Sequence, residues 1–429
     1  MSKKMAWREC IVGRIEADIT TFWMLSKMGF CATKLWNACI HSSREQWKET
    51  GKIPSGFDLQ SEQQEHPRYA DMNAHSAQKA IHEVGEAYRG WFTLRKKDTT
   101  AQPPGFRKKT MLSSITYDKS GFRRTPDGNF ALSISKRMRA AMCYPHRFLA
   151  MKISFWRPIP ENAILAELHI IPRNGYFEAH VIVELPEPEW RTEGCVVGID
   201  LGQKIPCAVA TENGEVEIYK GGEIAANSRY WNKEIGRVKS EVTGRTKGRK
   251  KWSDALSRMS RRGNGQKNTA IHALTSTIAN KCDKEGVKEV VVGDLKGIKK
   301  REDGIGKNWR DKGSQNWNQF PVAKLVTQLR YKLVRFGIRL LEKDEHGTSR
   351  GRCALCGCTD RDKLHRIHRG VFYCENCEKY QHADANGARN ILARYLHQED
   401  GLLSSPGSSG ALAAPVIRRW DEHRWSVVG

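Results

Sequence analysis

The sequence lacks the features of a membrane or secreted protein. Its 429 residues contain no run of about 18 apolar residues and no N-terminal signal with a hydrophobic core. Cysteine is sparse for the length, at twelve residues, which argues against the disulfide frameworks of small secreted domains. We therefore expect a soluble, cytoplasmic protein with reduced thiols and no membrane partner.

Acidic residues are also in short supply. Asp and Glu number 48 against 72 Lys and Arg, so the formal net charge is +24 and the pI is near 9.6. Such an imbalance predicts a polyanionic partner, and nucleic acid fits best. One basic, mostly helical stretch is predicted to contact phosphates rather than to be only a solvated face. Its candidate residues are Arg245, Lys247, Arg249, Lys250, Lys251, Arg258, Arg261 and Arg262.

The pattern of apolar residues divides a chain that is long enough for two or three domains. Residues 1–20 alternate as in a strand, residues 21–105 have the spacing of helices, and residues 106–190 return to short alternating runs. This order predicts a helical region inserted in a small β-barrel or sandwich. After a linker at 186–194, the pattern becomes that of an α/β domain.

Two CxxC pairs give the most specific signal in the chain. A segment suited to a β-hairpin separates Cys353 and Cys356 from Cys374 and Cys377, and four thiolates satisfy tetrahedral zinc with no open position. We predict a structural zinc site, with unliganded buried cysteines as the alternative. Three nearby residues are spare potential ligands that we expect at the surface: Cys358, His365 and His368.

Two aspartates lie at positions that adjoin apolar residues, where a charged side chain is unusual. Asp200 ends an apolar strand, where an unpaired charge is costly unless it binds a cation or a base. Asp384 opens a helix and shares a face with apolar residues, although an acid in a first helical turn is also favoured by the helix dipole. Together, on a strand followed by a hairpin and on a late helix, they match how RNase H-like nucleases assemble metal sites.

Several motifs resemble one known family. They are GIDLG from residue 198, YKLVRFGIRLL from 331, DEHGTSRGRCALCG from 344, FYCENC from 372 and HADANGARNIL from 382. These segments resemble the RuvC-like nuclease and zinc ribbon of TnpB, the RNA-guided nuclease of bacterial insertion sequences, and of the miniature type V CRISPR effectors descended from it. The resemblance is specific over residues 195–397; in the N-terminal half, KLWNACI and PPGFRKK fit only the layout of the family.

The resemblance implies a multi-domain α+β architecture. A helical recognition domain is inserted in a β-barrel wedge domain, and an RNase H-like (RuvC) α/β nuclease domain with an inserted zinc ribbon follows. The implied boundaries are 1–20 and 106–190 for the wedge domain, 21–105 for the recognition domain, 195–350 and 381–397 for the nuclease, and 351–380 for the zinc ribbon. The low-complexity end of the chain, residues 398–429, is predicted to be a flexible tail.

One position departs from the family pattern. Many members carry the middle catalytic acid as a Glu at the end of the second core strand, where this chain has Gly293. Some members instead supply a Glu from the segment before the zinc ribbon, and Glu345 matches that place. The resemblance therefore implies that Asp200, Glu345 and Asp384 form the catalytic set.

Three other acids lie near these positions in the sequence. Asp294 is the fallback for the third carboxylate, although the period of two along a strand directs it away from the face of Gly293. Glu342 and Asp344 are expected to face solvent.

The family implies an RNA-guided DNA endonuclease. It would use a guide RNA, a double-stranded DNA target beside a short flanking motif, a structural zinc ion and two catalytic Mg²⁺ ions, as a monomer or a homodimer. A nuclease-inactive RNA-guided DNA-binding protein, acting as a repressor, stays open because of Gly293. A guide-independent transposase also stays open, since an end-recognition module could lie within residues 20–100.

Overall fold

The computed structural model describes residues 7–247, 253–295, 321–368, 370–396 and 408–428. The chain divides into two compact units between Glu187 and Pro188, inside the linker that the sequence predicts. None of the helices in the described ranges combines the length and the apolar character that crossing a bilayer requires.

The first unit combines an antiparallel sheet with five helices in its described residues, four of which lie between the first two strands in the sequence. The strands are β1 (Trp7–Glu16), β2 (Ile115–Asp118), β3 (Phe122–Arg124), β4 (Phe130–Ser133), β5 (Phe148–Phe155), β6 (Ile164–Arg173) and β7 (Tyr176–Leu185). The helices are α1 (Ile19–Thr50), α2 (Gly56–Gln63), α3 (Pro67–Ala70), α4 (Ala74–Arg95) and α5 (Lys136–Ala141).

The sheet of the first unit comes close to a barrel. Within its described residues the strand order is β2-β6-β7-β1-β5-β4-β3, and every pairing is antiparallel. The two end strands, β2 and β3, are joined only by residues 119–121, so the ends of the sheet must lie near each other. The long α1 begins after Asp18, whose carboxylate accepts a hydrogen bond from the Thr21 backbone, and it ends at Gly51 in the left-handed conformation.

The second unit contains a mixed sheet, a small zinc-ribbon sheet and five helices in its described residues. Its strands are β8 (Cys195–Asp200), β9 (Cys207–Thr211), β10 (Val216–Lys220), β11 (Val287–Asp294), β12 (Arg339–Asp344), β13 (Leu364–His368), β14 (Val371–Cys374), β15 (Lys379–His382), β16 (Val416–Trp420) and β17 (Trp425–Val427). Its helices are α6 (Gly222–Arg245), α7 (Asp254–Lys284), α8 (Val322–Val334), α9 (Ala383–Tyr395) and α10 (Ser408–Ala413).

The large sheet of this unit has the order β12-β11-β8-β9-β10-β16-β17 in the described residues. β8, β11 and β12 are parallel, and β9 is antiparallel to both of its neighbours. The five strands from β10 to β12 have the order and directions of an RNase H-like sheet. One face packs on the apolar sides of α7 and α8, and α9 covers the other face.

The prediction of a flexible tail over residues 398–429 is wrong for its described part. β16 pairs in parallel with β10, Trp425 is buried, and the Trp425 indole donates to the Ala270 carbonyl. Arg418 on β16 makes two hydrogen bonds to the buried Glu217 carboxylate, which Lys281 also contacts. The low-complexity stretch is followed by a short strand, VIRRW, that pairs with β10 on one side and with the edge strand β17 on the other.

Candidate metal centres and nucleic-acid interface

Three strand ends meet at one edge of the large sheet. β8, β11 and β12 run in parallel, so their carboxyl ends lie side by side. Asp200 is the last residue of β8, and Asp294, the last residue of β11, pairs with Asp344 of β12. Open α/β sheets place their ligand sites at such an edge.

Glu345 fills the space beside Gly293. A Cβ atom built on Gly293 would lie 2.1 Å from Oε2 of Glu345 and 2.9 Å from its Cβ. No side chain fits at position 293 unless Glu345 moves. The carboxylate of Glu345 therefore occupies the space that a side chain on the strand at position 293 would enter.

Two glycines let the Asp384 helix approach the central strand. A Cβ atom on Gly387 of α9 would lie 2.3 Å from Oδ2 of Asp200, and one on Gly198 of β8 would lie 2.6 Å from the Ala388 carbonyl oxygen. Asp384 lies in the first turn of α9, one turn before Gly387. The close packing of helix on strand thus brings Asp384 near Asp200.

The carboxylates perturb one another. Burial raises the pKa of Asp200 well above its usual range, and the charges of Glu345 and Asp384 raise it further against the opposing charge of Arg366. Burial raises the pKa of Glu345 to about 7, with contributions from Asp344 and Asp294.

One oxygen of this acidic group is left unsatisfied. Oε2 of Glu345 is buried and has no hydrogen-bond partner in the described structure. Buried carboxylates that repel one another and leave an oxygen unsatisfied are the donor set that a hard divalent cation requires. The residues present therefore fit a catalytic metal.

Two residues that the sequence did not single out lie near the acids. Nδ1 of His382 is 3.7 Å from Oδ2 of Asp384, and burial lowers the pKa of this imidazole. Arg366, on strand β13 of the ribbon, acts electrostatically on both Asp200 and His382. The position of His382 just before α9 could have drawn attention to it, whereas nothing in the sequence around Arg366 signals this long-range placement.

The other three acids differ in their surroundings. Asp294 is close enough for its charge to raise the pKa of Glu345, so the fallback residue stays a candidate. Glu342 pairs with Arg330 on α8. The side chain of Asp344 is 78% exposed, in agreement with the expectation that it faces solvent.

The four predicted zinc ligands come together. In the described residues, Cys353, Cys356, Cys374 and Cys377 are the only group of three or more potential ligands whose atoms all lie within 4.8 Å of one another. The Sγ atoms of Cys356 and Cys374 are 3.6 Å apart. The buried Gln381 amide donates to Sγ of Cys353 over 3.0 Å, a contact that stabilises a thiolate ligand.

The spare ligands stay outside this cluster. His365 instead lies 2.7 Å from the Glu375 carboxylate, through Nε2, and His368 is exposed. Cys358 contributes its backbone carbonyl, which accepts from the Cys353 amide, and its Sγ is not part of the group. A tetrahedral site of four cysteines is closed, so the cluster suits structural zinc.

The outer face of the zinc ribbon carries a row of rings. His365, Tyr373 and Tyr380 are paired across β13, β14 and β15. Their ring centroids are 6.4 Å and 4.7 Å apart, with interplanar angles of 23° and 35°. Tyr380 is 59% exposed, so the row presents an aromatic surface to solvent.

The described basic candidates are all exposed. Arg245 and Lys247 lie at the end of α6, and Arg258, Arg261 and Arg262 lie near the start of α7. This places positive charge at one end of the α6–α7 pair. Arg249, Lys250 and Lys251 lie outside the described residues.

Comparisons with known proteins agree with this geometry. A family model described as "Probable transposase" (OrfB_IS605) matches residues 180–299, and the model of the Cas12f1-like TNB domain matches residues 323–391. The chain is 22% identical over 403 residues to the TnpB-like protein ORF457 of Acidianus two-tailed virus, covering 86% of this chain and 83% of that protein.

Two solved structures are similar over most of their length. The chain matches a structure of the Cas12f1–sgRNA–target DNA complex with a TM-score of 0.54 at 14% identity, over 87% of this chain and 82% of that one. A CRISPR–Cas12f ternary complex matches at 14% identity with a TM-score of 0.33, over 86% of this chain and 80% of that one. The first of these shows a shared fold.

The fold and the site define an RNase H-like protein with converging carboxylates and a four-cysteine ribbon. Within that class, the two family models and the viral relative show that the chain is similar to TnpB-like proteins and, over residues 323–391, to the Cas12f1-like effectors.

Proposed function

We propose that the protein is an RNA-guided DNA endonuclease that cleaves target DNA next to a short flanking motif. TnpB and Cas12 proteins are RuvC-like nucleases, and the Cas12f1 structure with a similar fold contains an sgRNA and a target DNA. The net charge of +24 suits two nucleic-acid partners. The working form is a monomer or a homodimer.

The observation that carries this proposal is the contact between Glu345 and Gly293. The glycine at position 293, where many family members have a catalytic glutamate, is the reason to suspect that the protein has lost nuclease activity. The Glu345 carboxylate lies where a side chain at position 293 would begin, and its raised pKa reflects burial among acids. A chain that had lost catalysis would have no need to keep a buried acid without a hydrogen-bond partner.

Asp200, Glu345 and Asp384 would hold two Mg²⁺ ions, with Asp200 between the other two acids. Held by these carboxylates, the ions would supply Lewis-acid chemistry for activating a water and stabilising the leaving oxygen of the scissile phosphate.

Two cationic or polar groups complete the site. Arg366 would contact a phosphate of the strand being cut, because its charge already reaches the carboxylate edge from the ribbon side. His382 is held neutral by burial, and its Nδ1 faces Asp384 without a hydrogen-bond partner. It can orient Asp384 once the carboxylate binds metal.

The zinc ribbon would bind the DNA strand that is to be cut, in addition to connecting Glu345 and Asp384 in the chain. Residues two apart on a strand share a face, so Tyr380 and His382 of β15 lie on the same side of the ribbon sheet. The aromatic row of His365, Tyr373 and Tyr380 therefore leads along that face towards Asp384. Stacked aromatic rings bind unpaired bases without sequence preference, which suits a strand opened by pairing with a guide.

The experiment is cleavage of a plasmid library with randomised flanking sequences by the purified ribonucleoprotein in Mg²⁺. The wild type should cut beside one motif, and Asp200→Asn should bind the same plasmids without cutting. Asp344→Asn is the matched control, because it removes an adjacent but mostly exposed acid.

Two outcomes would contradict the proposal. Binding without cutting by the wild type would favour a guided repressor. Cutting without any guide RNA would favour a transposase, the activity that the "Probable transposase" model names.

A further inference from the structure

Three polar side chains form a stripe along the helix that carries Asp384. Asn386, Asn390 and Arg394 are spaced four residues apart on α9, so they lie on one face over about 12 Å of helix. Asn386 and Asn390 are buried, at 0% and 3% exposure. Buried amides need partners, and theirs lie in another part of the chain.

The two asparagines bind the backbone of the segment that links Glu345 to the zinc ribbon. The Asn390 side-chain amide donates to the Thr348 carbonyl over 2.7 Å and to the Arg352 carbonyl over 3.0 Å. The Asn386 amide also donates to the Arg352 carbonyl, over 2.9 Å, and its oxygen accepts from the Ala354 amide over 2.7 Å. This pairing satisfies backbone groups that no helix or strand uses.

Arg394 extends the stripe to the residues on either side of Glu345. Its guanidinium donates to the Asp344 carbonyl over 3.0 Å and to the His346 carbonyl over 3.1 Å. Two carbonyls held by one planar group fix both the position and the direction of the intervening residue. The helix that carries Asp384 is therefore hydrogen-bonded to the backbone on both sides of Glu345.

Thr348 connects the hydrogen bonds of the asparagines to Glu345. The backbone amide and the hydroxyl of Thr348 both donate to the Glu345 carbonyl, over 3.0 Å and 2.8 Å. The Thr348 carbonyl is in turn the one that Asn390 binds. The turn between them passes through Gly347 in the left-handed conformation, which lets the segment fold back on itself.

We propose that Asn386, Asn390 and Arg394 are positioning residues that hold the Glu345 carboxylate in register with Asp200 and Asp384. The inference rests on the proposed function, since it assigns these residues to the metal site of the nuclease. A strand fixes the position of a carboxylate that it carries, whereas a loop does not. The hydrogen bonds of these three residues would fix the position of the loop that carries Glu345. Zinc orders the ribbon beyond Cys353, while α9 fixes the segment before it.

The test is Mn²⁺ binding to the purified full-length protein with its zinc in place, followed by electron paramagnetic resonance or calorimetry. Asn390→Leu keeps the number and branching of the side-chain heavy atoms and removes the donors, and Arg394→Ala removes a side chain that is 39% exposed. Each should weaken the Asp200-dependent Mn²⁺ site about tenfold. Arg229→Ala, an exposed arginine on α6, is the control and should leave Mn²⁺ affinity unchanged.

A double-mutant cycle separates positioning from general damage. In the Glu345→Ala background, Asn390→Leu and Arg394→Ala should cause no further loss of Mn²⁺ affinity, because the group they position is gone. Equal losses in both backgrounds, or wild-type affinity in the two variants, would overturn the inference. If the wild type showed no Asp200-dependent Mn²⁺ binding, the metal site of the proposed function would fail and this inference with it.

Discussion

Replacing Gly293 with alanine adds one methyl group at the point where Glu345 rests. The backbone at Gly293 is not left-handed, and alanine in a strand interior is usually favoured over glycine by about 0.5–1 kcal/mol. The fold should therefore accept the change. The added Cβ would meet Oε2 of Glu345 at 2.1 Å, and an ordinary contact needs at least 3.4 Å.

The magnitude follows from that distance. The carboxylate of Glu345 must retreat by more than an ångström, and misplacing a reacting or ligand group by about 1 Å can cost 100-fold in rate. We expect the cleavage rate constant to fall about 100-fold, equivalent to about 2.7 kcal/mol in the barrier. The affinity for target DNA should stay within a few-fold, because Gly293 is buried.

The assay is single-turnover cleavage of target plasmid by the ribonucleoprotein, alongside thermal unfolding. Gly90→Ala is the control, since a Cβ there meets nothing within 4 Å. Gly293→Ala should lose cleavage with little change in melting temperature. Cleavage at the wild-type rate would refute the claim that the Glu345 carboxylate needs this exact space.

The remaining predictions concern the ribbon and the sheet edge. Cys374→Ser should lose bound zinc and cleavage, and limited proteolysis should then cut within 353–382; zinc loss with an intact ribbon would contradict this. Burial alone would raise the pKa of Glu217, but hydrogen bonds from Arg418 and Tyr219 and contact with Lys281 lower this pKa to about 2. The stability that the charged carboxylate adds to the fold is therefore present above about pH 4.5 and is lost as the pH falls towards 2. Glu217→Gln should remove that part of the acid sensitivity seen in Trp425 fluorescence, and an unchanged pH profile would refute the role of the pair. Tyr380→Ala should weaken cross-linking of a 5-iodouracil-labelled single-stranded DNA to the ribbon at least fivefold, whereas Tyr380→Phe keeps the ring and should not; equal loss in both would exclude stacking.

Local patterns predicted the parts of the site that local chemistry determines. The CxxC spacing brought four cysteines together because a hairpin can close over a short interval. Asp200 was recognisable because a charge at the end of an apolar strand is costly.

The parts that depend on long-range packing could not be predicted from the sequence. Nothing near Asn390 indicates that its amide binds the Thr348 carbonyl, and nothing near Arg366 places it beside Asp200. The strand VIRRW was overlooked because a single run of five residues without apolar–polar alternation carries little signal in the absence of its partner β10. The match of Glu345 to Gly293 came from family resemblance, and the structure adds the contact between them.

The most direct test of the account moves the acid back to the strand. Cleavage would be compared among the wild type, Glu345→Ala, and Glu345→Ala combined with Gly293→Glu. Removing the Glu345 side chain frees the space beside position 293, so a glutamate there can enter it. The account predicts that Glu345→Ala abolishes cleavage and that the second substitution restores part of it; cleavage by Glu345→Ala at the wild-type rate would contradict it and assign the third carboxylate to Asp294.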